Sequence, residues 1–466
     1  MFEVITVDGL TDAEQDTFTT LWRQLHDKRP RNLLRSNYYD SKQAVRHLGI
    51  AIPAKFHRLA TVLGWSAKAV DVLNRRCNLE GFVLPGGDDS LIRQIWTENH
   101  LDTEAPQAGV SSLIHSCSFL ATTQGDTQAG EPPVLITARD ALSGTGQWDR
   151  RRRALSSALS VIDFDEDGRP VDFVLYLPNV NVFATKVGAG WRVARRQHRY
   201  GVPVEPLIYQ PRLGRSFGSS RISRSVMSLH DSAIRTVIRS EVVAELYSVP
   251  ARVLLGADES SFKNADGSTK TAWQAILGRV WGIPRDENGE LPDVKEFKQG
   301  DQQPHIAQLR AWAQLFAGET SIPVSSLGLS TDANPASAEA YSASREDLIS
   351  EAEGTIDGWA PAWRRTAINA MRMSAGVEVL PEQLLQVRPK FRSPVTQSRA
   401  AAADAASKTI DKFPWLAETR AGLELYGFDS DFIDQALAEK RRVDGRRALA
   451  SLTAAAEPEP TTDDDA

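Results

Sequence analysis

A serine between two glycines is the residue in this chain that most resembles a catalytic group. Ser216 lies in residues 214–218, which match the G-x-S-x-G pattern of a nucleophile elbow. An elbow needs the serine on a sharp turn directly after a strand. Here residues 211–213 separate Ser216 from a strand predicted at Val204–Tyr209. We interpret the motif as a flexible turn that leads into a helix.

The histidines that follow Ser216 also fail the usual order of a catalytic triad, in which an acid and then a histidine come later in the chain. They are His230 and His305. His230 lies on the next predicted helix with no acid before it, and His305 opens a later helix. A serine hydrolase that uses Ser216 is kept as an alternative hypothesis.

Motifs for cofactors and metals are missing from the sequence. No G-x-x-x-x-G-K-[ST] loop occurs for ATP phosphates, and no H-E-x-x-H or paired Cys-x-x-Cys occurs for zinc. Residues 163–168 begin like a calcium loop, but its twelfth position is Val174 instead of Glu, and strands are predicted on both sides. We therefore predict a solvated hairpin turn at 163–168, and no metal, cofactor or catalytic residue.

The negative charge is concentrated at the C-terminal end. The 466 residues carry a net charge of −6, and the last ten contain five carboxylates. The rest is nearly neutral, whereas a general nucleic-acid binder would show a basic excess. Cys77 and Cys117 are expected to be buried thiols of a reducing compartment. The sequence predicts no signal peptide and no membrane span.

Arginines follow one side of a long predicted helix over 219–248, roughly 45 Å at ~1.5 Å per residue. Its predicted apolar face contains Ile222, Val226, Leu229, Ala233, Val237 and Ala244. The arginine stripe contains Arg221, Arg224, Arg235 and Arg239. Two interpretations stay open. The stripe faces DNA phosphates or a wet channel, or it pairs across an interface with acids such as Asp231, Glu241 and Glu245.

Helices and a sheet are predicted before this helix. Thr11–Glu14 is a capping box that starts a helix, and further helices are predicted around 40–48, 52–63 and 88–98. An apolar run at 111–121 fits a buried helix. An antiparallel sheet follows, because short runs rich in Val, Ile, Phe and Tyr alternate with turns. Its predicted strands are Pro133–Thr137, Ala154–Phe164, Val171–Leu177, Val180–Lys186 and Trp191–Arg199.

The second half alternates helices with a small insertion. A compact α/β insertion at 251–302, with a helix at 271–282, precedes a helix that Pro304 opens. An apolar loop then leads to a very long helix that reaches about Met373, with a kink expected near 357–361. A strand-like Leu385–Phe391 follows. Helices at Ser398–Asp411 and Ala417–Leu452 precede a tail that is disordered by composition.

This order of elements resembles the portal fold of tailed bacteriophages. Three short stretches also resemble portals of phages that infect actinobacteria. They are NYYDSK at 37–42, PRLGRSFG at 211–218 leading into ISR at 222–224, and LGLSTDANP at 327–335. The resemblance spans nearly the whole chain. It implies an α+β portal fold with a mixed α/β wing, long stem helices, a small α/β clip, a tunnel loop, a long kinked helix and a helical crown.

The resemblance also implies boundaries for these units. The N-terminal part of the wing is expected at 1–216, a stem helix at 217–250, the clip at 251–302, a second stem helix at 303–319, the tunnel loop at 320–335, the long kinked helix and wing return at 336–395, the crown at 396–453 and a disordered acidic tail at 454–466. The implied tunnel-loop residues are Ile322, Val324, Ser325, Ser326, Leu327, Leu329, Asp332 and Asn334.

The implied function is a channel at the capsid vertex of the virion, assembled in the host cytoplasm. Twelve copies would form a ring through which double-stranded DNA passes without sequence specificity during packaging and ejection. The implied partners are the terminase large subunit, a head–tail adaptor and the major capsid protein or scaffold. The alternatives are the serine hydrolase and another structural protein of a phage head or connector.

Overall fold

The computed structural model describes residues 4–43, 61–85, 89–247, 252–255, 268, 293–296, 301–328, 345–395, 399–428 and 430–455. The chain divides into two compact units, Met1–Pro394 and Val395–Ala466. The helix predicted at 271–282 and most of those predicted at 40–48 and 52–63 lie outside the described residues, and the described residues 40–43 are not helical. Most of the predicted clip also lies outside the described residues.

The first unit mixes helices with antiparallel strands. Its described helices are α1 (Asp12–Tyr39), α2 (Trp65–Asn74), α3 (Ser90–Glu98), α4 (Leu101–His115), α5 (Arg224–Tyr247), α6 (Gln303–Thr320) and α7 (Glu346–Ala375). Its described strands are β1 (Leu79–Val83), β2 (Cys117–Gln124), β3 (Val134–Arg139), β4 (Gly144–Asp149), β5 (Ala154–Phe164), β6 (Pro170–Leu177), β7 (Val180–Val187), β8 (Gly190–Gln197), β9 (Val204–Ile208), β10 (Arg252–Leu255), β11 (Asp293–Glu296) and β12 (Arg388–Phe391).

The start of α1 confirms the predicted capping box. The Glu14 amide donates to the Thr11 hydroxyl at 3.4 Å, and the Thr11 amide donates to the Glu14 carboxylate at 2.8 Å. Arg195 on β8 also donates to that carboxylate, at 2.6 and 2.9 Å. This hydrogen bond is the main reason why the pKa of Glu14 falls to about 2. The start of α1 is thereby fixed to strand β8.

Four of the five predicted strands are confirmed in a five-stranded antiparallel meander of order β4-β5-β6-β7-β8. The remaining predicted strand, Pro133–Thr137, corresponds to β3 and belongs to a different sheet, so that part of the prediction is wrong. Helix α1 covers one face of the meander, and the rings of Phe18 and Phe173 stack at 4.4 Å between centroids. Strand β4, at the edge, was not predicted. The 163–168 turn joins β5 to β6, as expected, with the Arg169 amide donating to Asp165 at 2.8 Å. No cluster suited to a metal ion occurs in the described part of the chain.

The expectation of one buried helix over 111–121 is wrong. Helix α4 ends at His115, Ser116 turns the backbone with a φ of 88°, and Cys117 begins β2. Strand β2 is central in a second sheet of order β3-β2-β9 and is buried over most of its length. A strand buried on both faces has no alternation in its sequence, so periodicity could not separate it from a buried helix.

Helices α5 and α6 form an antiparallel pair. Ser223 donates to Glu319 at 3.4 Å, the Trp312 indole donates to Thr236 at 3.1 Å, and Ser240 donates to Gln302 at 2.5 Å. Partner numbers on α6 fall as those on α5 rise, which sets the direction. The prediction of a helix at 303–319 is confirmed by α6, whereas α5 begins five residues later than predicted.

Helix α7 contains Pro361, where the sequence predicts a kink. Proline has no amide hydrogen, so the carbonyl of Asp357 lacks its usual helical donor. Residues 336–344 of the predicted helix lie outside the described residues. Of the predicted strand at 385–391, only Arg388–Phe391 is a strand, and a 3-10 turn at Leu384–Gln386 precedes it.

The second unit is helical, as predicted. Its described helices are α8 (Arg399–Lys412), α9 (Arg420–Leu425) and α10 (Ser430–Ala455). Gly427, with a φ of 79°, separates the last two at the predicted place. None of the described helices of the chain is apolar over a length that would cross a membrane.

Gly218 is predicted to be essential for the turn between β9 and α5. Its φ is 69°, and a Cβ at this position would lie 2.0 Å from the carbonyl oxygen of Tyr209. We expect Gly218→Ala to lower the free energy of unfolding by about 2–4 kcal/mol. Gly214→Ala is the matched control because nothing lies within 4 Å of its Cβ position. Urea midpoints of both variants check this, and equal midpoints would contradict it.

Candidate functional site

A buried arginine lies where the two antiparallel helices meet the rest of the first unit. Arg221 is only 5% exposed and precedes the first residue of α5 by three positions. Its backbone amide donates to the carbonyl of Leu113 at 2.9 Å, which holds it against the end of α4. Arg221 is therefore not on the arginine stripe of the helix, and that part of the prediction is wrong.

The guanidinium of Arg221 connects four elements. Its Nε donates to the carbonyl of Ala69 on α2, and one terminal nitrogen donates to the carbonyl of Thr320 at the end of α6. The other terminal nitrogen donates to the Glu351 carboxylate of α7 and, at 3.1 Å, to the Tyr209 hydroxyl after β9. We call this set the Arg221 junction.

Tyr209 completes the Arg221 junction as a protonated donor. Its hydroxyl donates to the Glu351 carboxylate and accepts from Arg221. Burial raises the pKa of Tyr209, so the phenol keeps its proton. The second carboxylate oxygen of Glu351 is buried and lacks a hydrogen-bond partner in the described part of the chain. The charge of Glu351 is thus directed mainly at Arg221.

The Arg221 junction also anchors the start of the predicted tunnel loop. Thr320 ends α6, and a 3-10 turn at Val324–Leu327 follows. Ile322 and Leu327 are 3% and 8% exposed and pack in the main core of the unit, with Val324 partly buried against it. The side chains of Ile322 and Leu327 therefore pack inside the subunit and do not lie on an exposed loop surface.

Two of the remaining predicted tunnel-loop residues are described, and three are not. Ser325 is exposed and Ser326 is half-buried. Leu329, Asp332 and Asn334 lie outside the described residues. The assignment of this segment to a tunnel loop stays a prediction.

Three arginines of the predicted stripe do lie on α5. Arg224 is exposed, and Arg235 and Arg239 are half-buried. Arg235 donates to the Ser232 hydroxyl at 2.8 Å. Of the acids that were predicted to face such a stripe, Glu241 and Glu245 are exposed, so both remain accessible to a second molecule.

A second buried polar cluster fixes the other side of α5. His230 is 2% exposed, and its Nδ1 lies 2.9 Å from the Ser66 hydroxyl of α2. The Tyr38 hydroxyl at the end of α1 donates to both oxygens of Asp231 at 3.0 Å. Burial lowers the pKa of His230 to about 4. His230 is therefore neutral and structural, and it is not a triad partner of Ser216.

Ser216 directly follows a tight turn closed by Arg212 and Arg215, which exchange backbone hydrogen bonds. It lies in a second turn, in which the Gly218 amide donates to the carbonyl of Arg215 at 2.9 Å. His115 and Ser216 line one cavity of the first unit, but the ring nitrogens of His115 lie 2.9 and 3.4 Å from the hydroxyls of Ser36 and Ser111. The geometry confirms the interpretation of the motif as a turn leading toward a helix.

Both cysteines are buried free thiols, as expected from the sequence. Burial raises the pKa of each to about 12. Cys77 donates to the carbonyl of Ala352, one residue after Glu351, at 3.7 Å. Its thiol is therefore next to the Arg221 junction.

Sequence reasoning missed Tyr209 and Glu351 and placed Arg221 on the wrong surface. The available signal was an arginine just before a helix that follows a turn ending in Gly218. Nothing in the sequence pairs it with Glu351, since 130 positions separate the two residues.

Comparison with known protein families identifies the family of this chain. A family model described as phage portal protein, SPP1 Gp6-like, matches residues 20–426. The match runs from α1 into the second unit and includes the Arg221 junction. The chain belongs to the phage portal protein family. This confirms the resemblance inferred from the sequence, and the mixed helix and sheet architecture agrees with the predicted α+β portal fold.

Two curated relatives are portal proteins of mycobacteriophages. The portal protein of Mycobacterium phage L5 is 28% identical over 390 residues, which cover 80% of this chain and 77% of the relative. That of Mycobacterium phage D29 is 29% identical over 386 residues, with coverages of 80% and 78%. Mycobacteria are actinobacteria, so the predicted group of relatives is confirmed.

Two solved structures also align. The neck of a native GTA particle, computed with C12 symmetry, gives a TM-score of 0.38 at 15% identity, covering 78% of this chain and 89% of that one. The neck of an empty GTA particle, computed with C6 symmetry, gives 0.40 at 13% identity, with coverages of 80% and 89%. At these scores the two structures add nothing to the family assignment.

Replacing Arg221 is expected to destabilise the first unit. Arg221→Ala leaves the Glu351 carboxylate, whose side chain is 18% exposed, without its cation, which costs roughly 3 kcal/mol of unfolding free energy. Arg224→Ala removes an exposed arginine three residues away and should change it by less than about 0.5 kcal/mol. Urea denaturation of both variants measures the difference. Similar losses for both would show that the Arg221 junction is not a stabilising centre.

His230 is expected to make stability fall with acid. Its pKa is about 4 in the folded chain and about 6.5 when unfolded, so the unfolded state binds more protons between these values. This stability is present above pH 6.5 and is lost as the pH falls toward 4. His230→Asn keeps an acceptor for Ser66 without that titration, so its melting temperature should depend less on pH in this window.

The neighbours of His230 titrate as well, and Asp231 has a pKa raised by burial. The melting temperature of each variant is therefore compared with that of the wild type at the same pH. His100→Asn is the control, because His100 is exposed and its left-handed backbone suits asparagine. A pH profile of His230→Asn that parallels the wild type would exclude this role.

Proposed function

We propose that this protein forms the ring-shaped channel at a phage capsid vertex through which double-stranded DNA is packaged and ejected. The observation that carries the proposal is the family match over residues 20–426. In this proposal α5 and α6 are the two stem helices, and the chain from 320 is the tunnel loop. The unit from 395 onward corresponds to the crown.

The surface of α6 supports assembly with a second copy. Its buried face contains Ala313, Phe316 and Ala317. The opposite side is exposed and carries Ala307, Ala311, Leu315 and Gly318 at spacings of four, four and three residues. A helix side of small and apolar residues needs a partner to leave water, and in a closed ring the neighbouring subunit supplies it.

The second unit also exposes large apolar side chains. Phe413, Trp415, Phe428 and Phe432 are 51%, 67%, 45% and 52% exposed. Exposed aromatic groups of this kind mark interaction surfaces. They support the proposal that the second unit contacts neighbouring copies. The number of copies that we propose is twelve.

The remaining roles follow from the proposed ring. Its outer surfaces dock the terminase large subunit, a head–tail adaptor and the capsid protein or scaffold during assembly in the host. The arginines of α5 face either DNA or acidic groups of a neighbouring helix, and both interpretations fit the exposure of Arg224. We propose no covalent chemistry for any residue.

Assembly is tested by placing a charge on the exposed side of α6. Ala311→Arg should leave the melting temperature of the subunit nearly unchanged and shift the ring to smaller species. Gln128→Arg, at an exposed turn, is the control. Light scattering after size exclusion and negative-stain imaging give the readout. Rings with a central hole and about twelvefold symmetry are expected for the wild type, and a wild type that stays monomeric at high concentration would overturn the proposal.

The serine hydrolase alternative has its own test. A fluorophosphonate probe should not label the wild-type protein, because no base is bound to Ser216 among the described contacts. Stoichiometric labelling that disappears in Ser216→Ala would favour the hydrolase and count against a purely structural role.

A further inference from the structure

A cavity of about 460 Å³ lies in the first unit, between α1, the edge strand β4 and the turn at 214–218. Its floor is the segment that joins α4 to β2. Neither the channel proposal nor the Arg221 junction uses it. We call it the α1–β4 cavity.

Five cationic side chains line the α1–β4 cavity. Lys28, Arg31 and Arg35 lie on one side of α1, three and four residues apart. Arg150 follows β4, and Arg215 lies in the turn beside Ser216. None of the residues that line the cavity is an aspartate or a glutamate. This is an excess of positive charge in a chain whose net charge is −6.

Asp140 and Asp149 adjoin the lining residues Ala141 and Arg150 in sequence, and both are bonded elsewhere. Asp140 accepts from the amides of Leu142 and Ser143 and from the Ser143 hydroxyl, at 3.1, 2.9 and 2.6 Å. Asp149 accepts from the amides of residues 151 and 152 at 2.8 and 3.1 Å. Within the described residues, the five cations of the cavity therefore lack a carboxylate aimed at them.

Arg35 shows the consequence for the cavity. It is half-buried, and its guanidinium donates to the carbonyl of His115 at 3.1 Å and to the Asn32 side chain at 3.5 Å. Both acceptors are neutral. Its pKa falls to about 10 because of burial first, and then because of the positive charges of Arg31 and Arg215. A bound anion would oppose both effects, because its negative charge favours the charged guanidinium.

The volume of the cavity and the side chains that line it indicate which kind of anion would bind. Cavities of roughly 300–1,000 Å³ hold small ligands rather than a single ion. Guanidinium groups match phosphate oxygens in pairs, and a phosphate ester brings more charge and more acceptor oxygens than one carboxylate. Trp148 and Phe217, half-buried on the wall, add aromatic surface for a base.

We propose that the α1–β4 cavity binds phosphate groups, supplied by a nucleic-acid backbone or by a free nucleotide. Of its cations, Lys28, Arg31 and Arg215 are exposed, and Arg35 is half-buried. The site belongs to a single subunit and does not depend on the proposed ring.

The test uses the full-length protein and three probes: a fluorescein-labelled 20-base-pair duplex, a labelled 12-nucleotide strand and unlabelled inorganic pyrophosphate. Fluorescence anisotropy gives the affinity of the labelled strands, and calorimetry gives that of pyrophosphate. The pocket variant carries Lys28→Gln, Arg31→Gln and Arg215→Gln, all exposed positions. The control carries Lys186→Gln, Arg192→Gln and Arg388→Gln, which removes the same charge from exposed sites outside the cavity.

We expect the pocket variant to lose at least tenfold in affinity for one or more probes, with the control within about twofold of the wild type. Tight binding of the labelled strands identifies the backbone as the source, and binding of pyrophosphate alone identifies a free phosphate compound. Equal binding by the pocket variant and the control would overturn the proposal. Wild-type binding of an octaglutamate peptide, without binding of any phosphate probe, would also overturn it and assign the cavity to an acidic protein segment.

Discussion

The architecture of the first unit depends on one buried cation. The guanidinium of Arg221 has its donors occupied by a carboxylate, a phenol and two backbone carbonyls from four different elements. A charge taken out of water is tolerated only when its hydrogen bonds are satisfied. The start of α5, the end of α6 and the position of α7 are therefore fixed together. A shift of any one of them would leave the charge unpaired.

This constraint explains how two long helices leave one core without diverging. Their antiparallel contacts continue away from the Arg221 junction, from Ser223 and Glu319 to Ser240 and Gln302. At ~1.5 Å per residue, this contact line is roughly 25 Å long. Burial within the subunit is one-sided along α6, and the exposed side is the one that a neighbouring copy would cover. The fixed start of the helix pair at the Arg221 junction and the exposed side of α6 are both features that suit a subunit of a ring.

Local signals in the sequence were sufficient for much of the fold. The capping box at Thr11 and Glu14, the hairpin at 163–168 and the helix opened by Pro304 each depend on residues close in sequence. The start of α5 was predicted too early. Helical periodicity shows on which side of a helix a residue such as Ile222 would lie, but it does not show at which residue the helix begins. Arg221 falls at nearly the same helical angle as Arg224, Arg235 and Arg239, so it was assigned to their side of the helix. Its true partners come from distant segments, which periodicity cannot bring together.

The two buried thiols make local opening of the first unit measurable as a rate. Cys77 lies beside the Arg221 junction, and Cys117 lies on the floor of the α1–β4 cavity. Alkylation requires an exposed thiolate, and both groups are buried with a pKa of about 12. Each can react only while its surroundings are transiently open. The alkylation rate of Cys77 therefore reports how often the surroundings of the Arg221 junction open in the intact protein. The alkylation rate of Cys117 reports the same for the α1–β4 cavity.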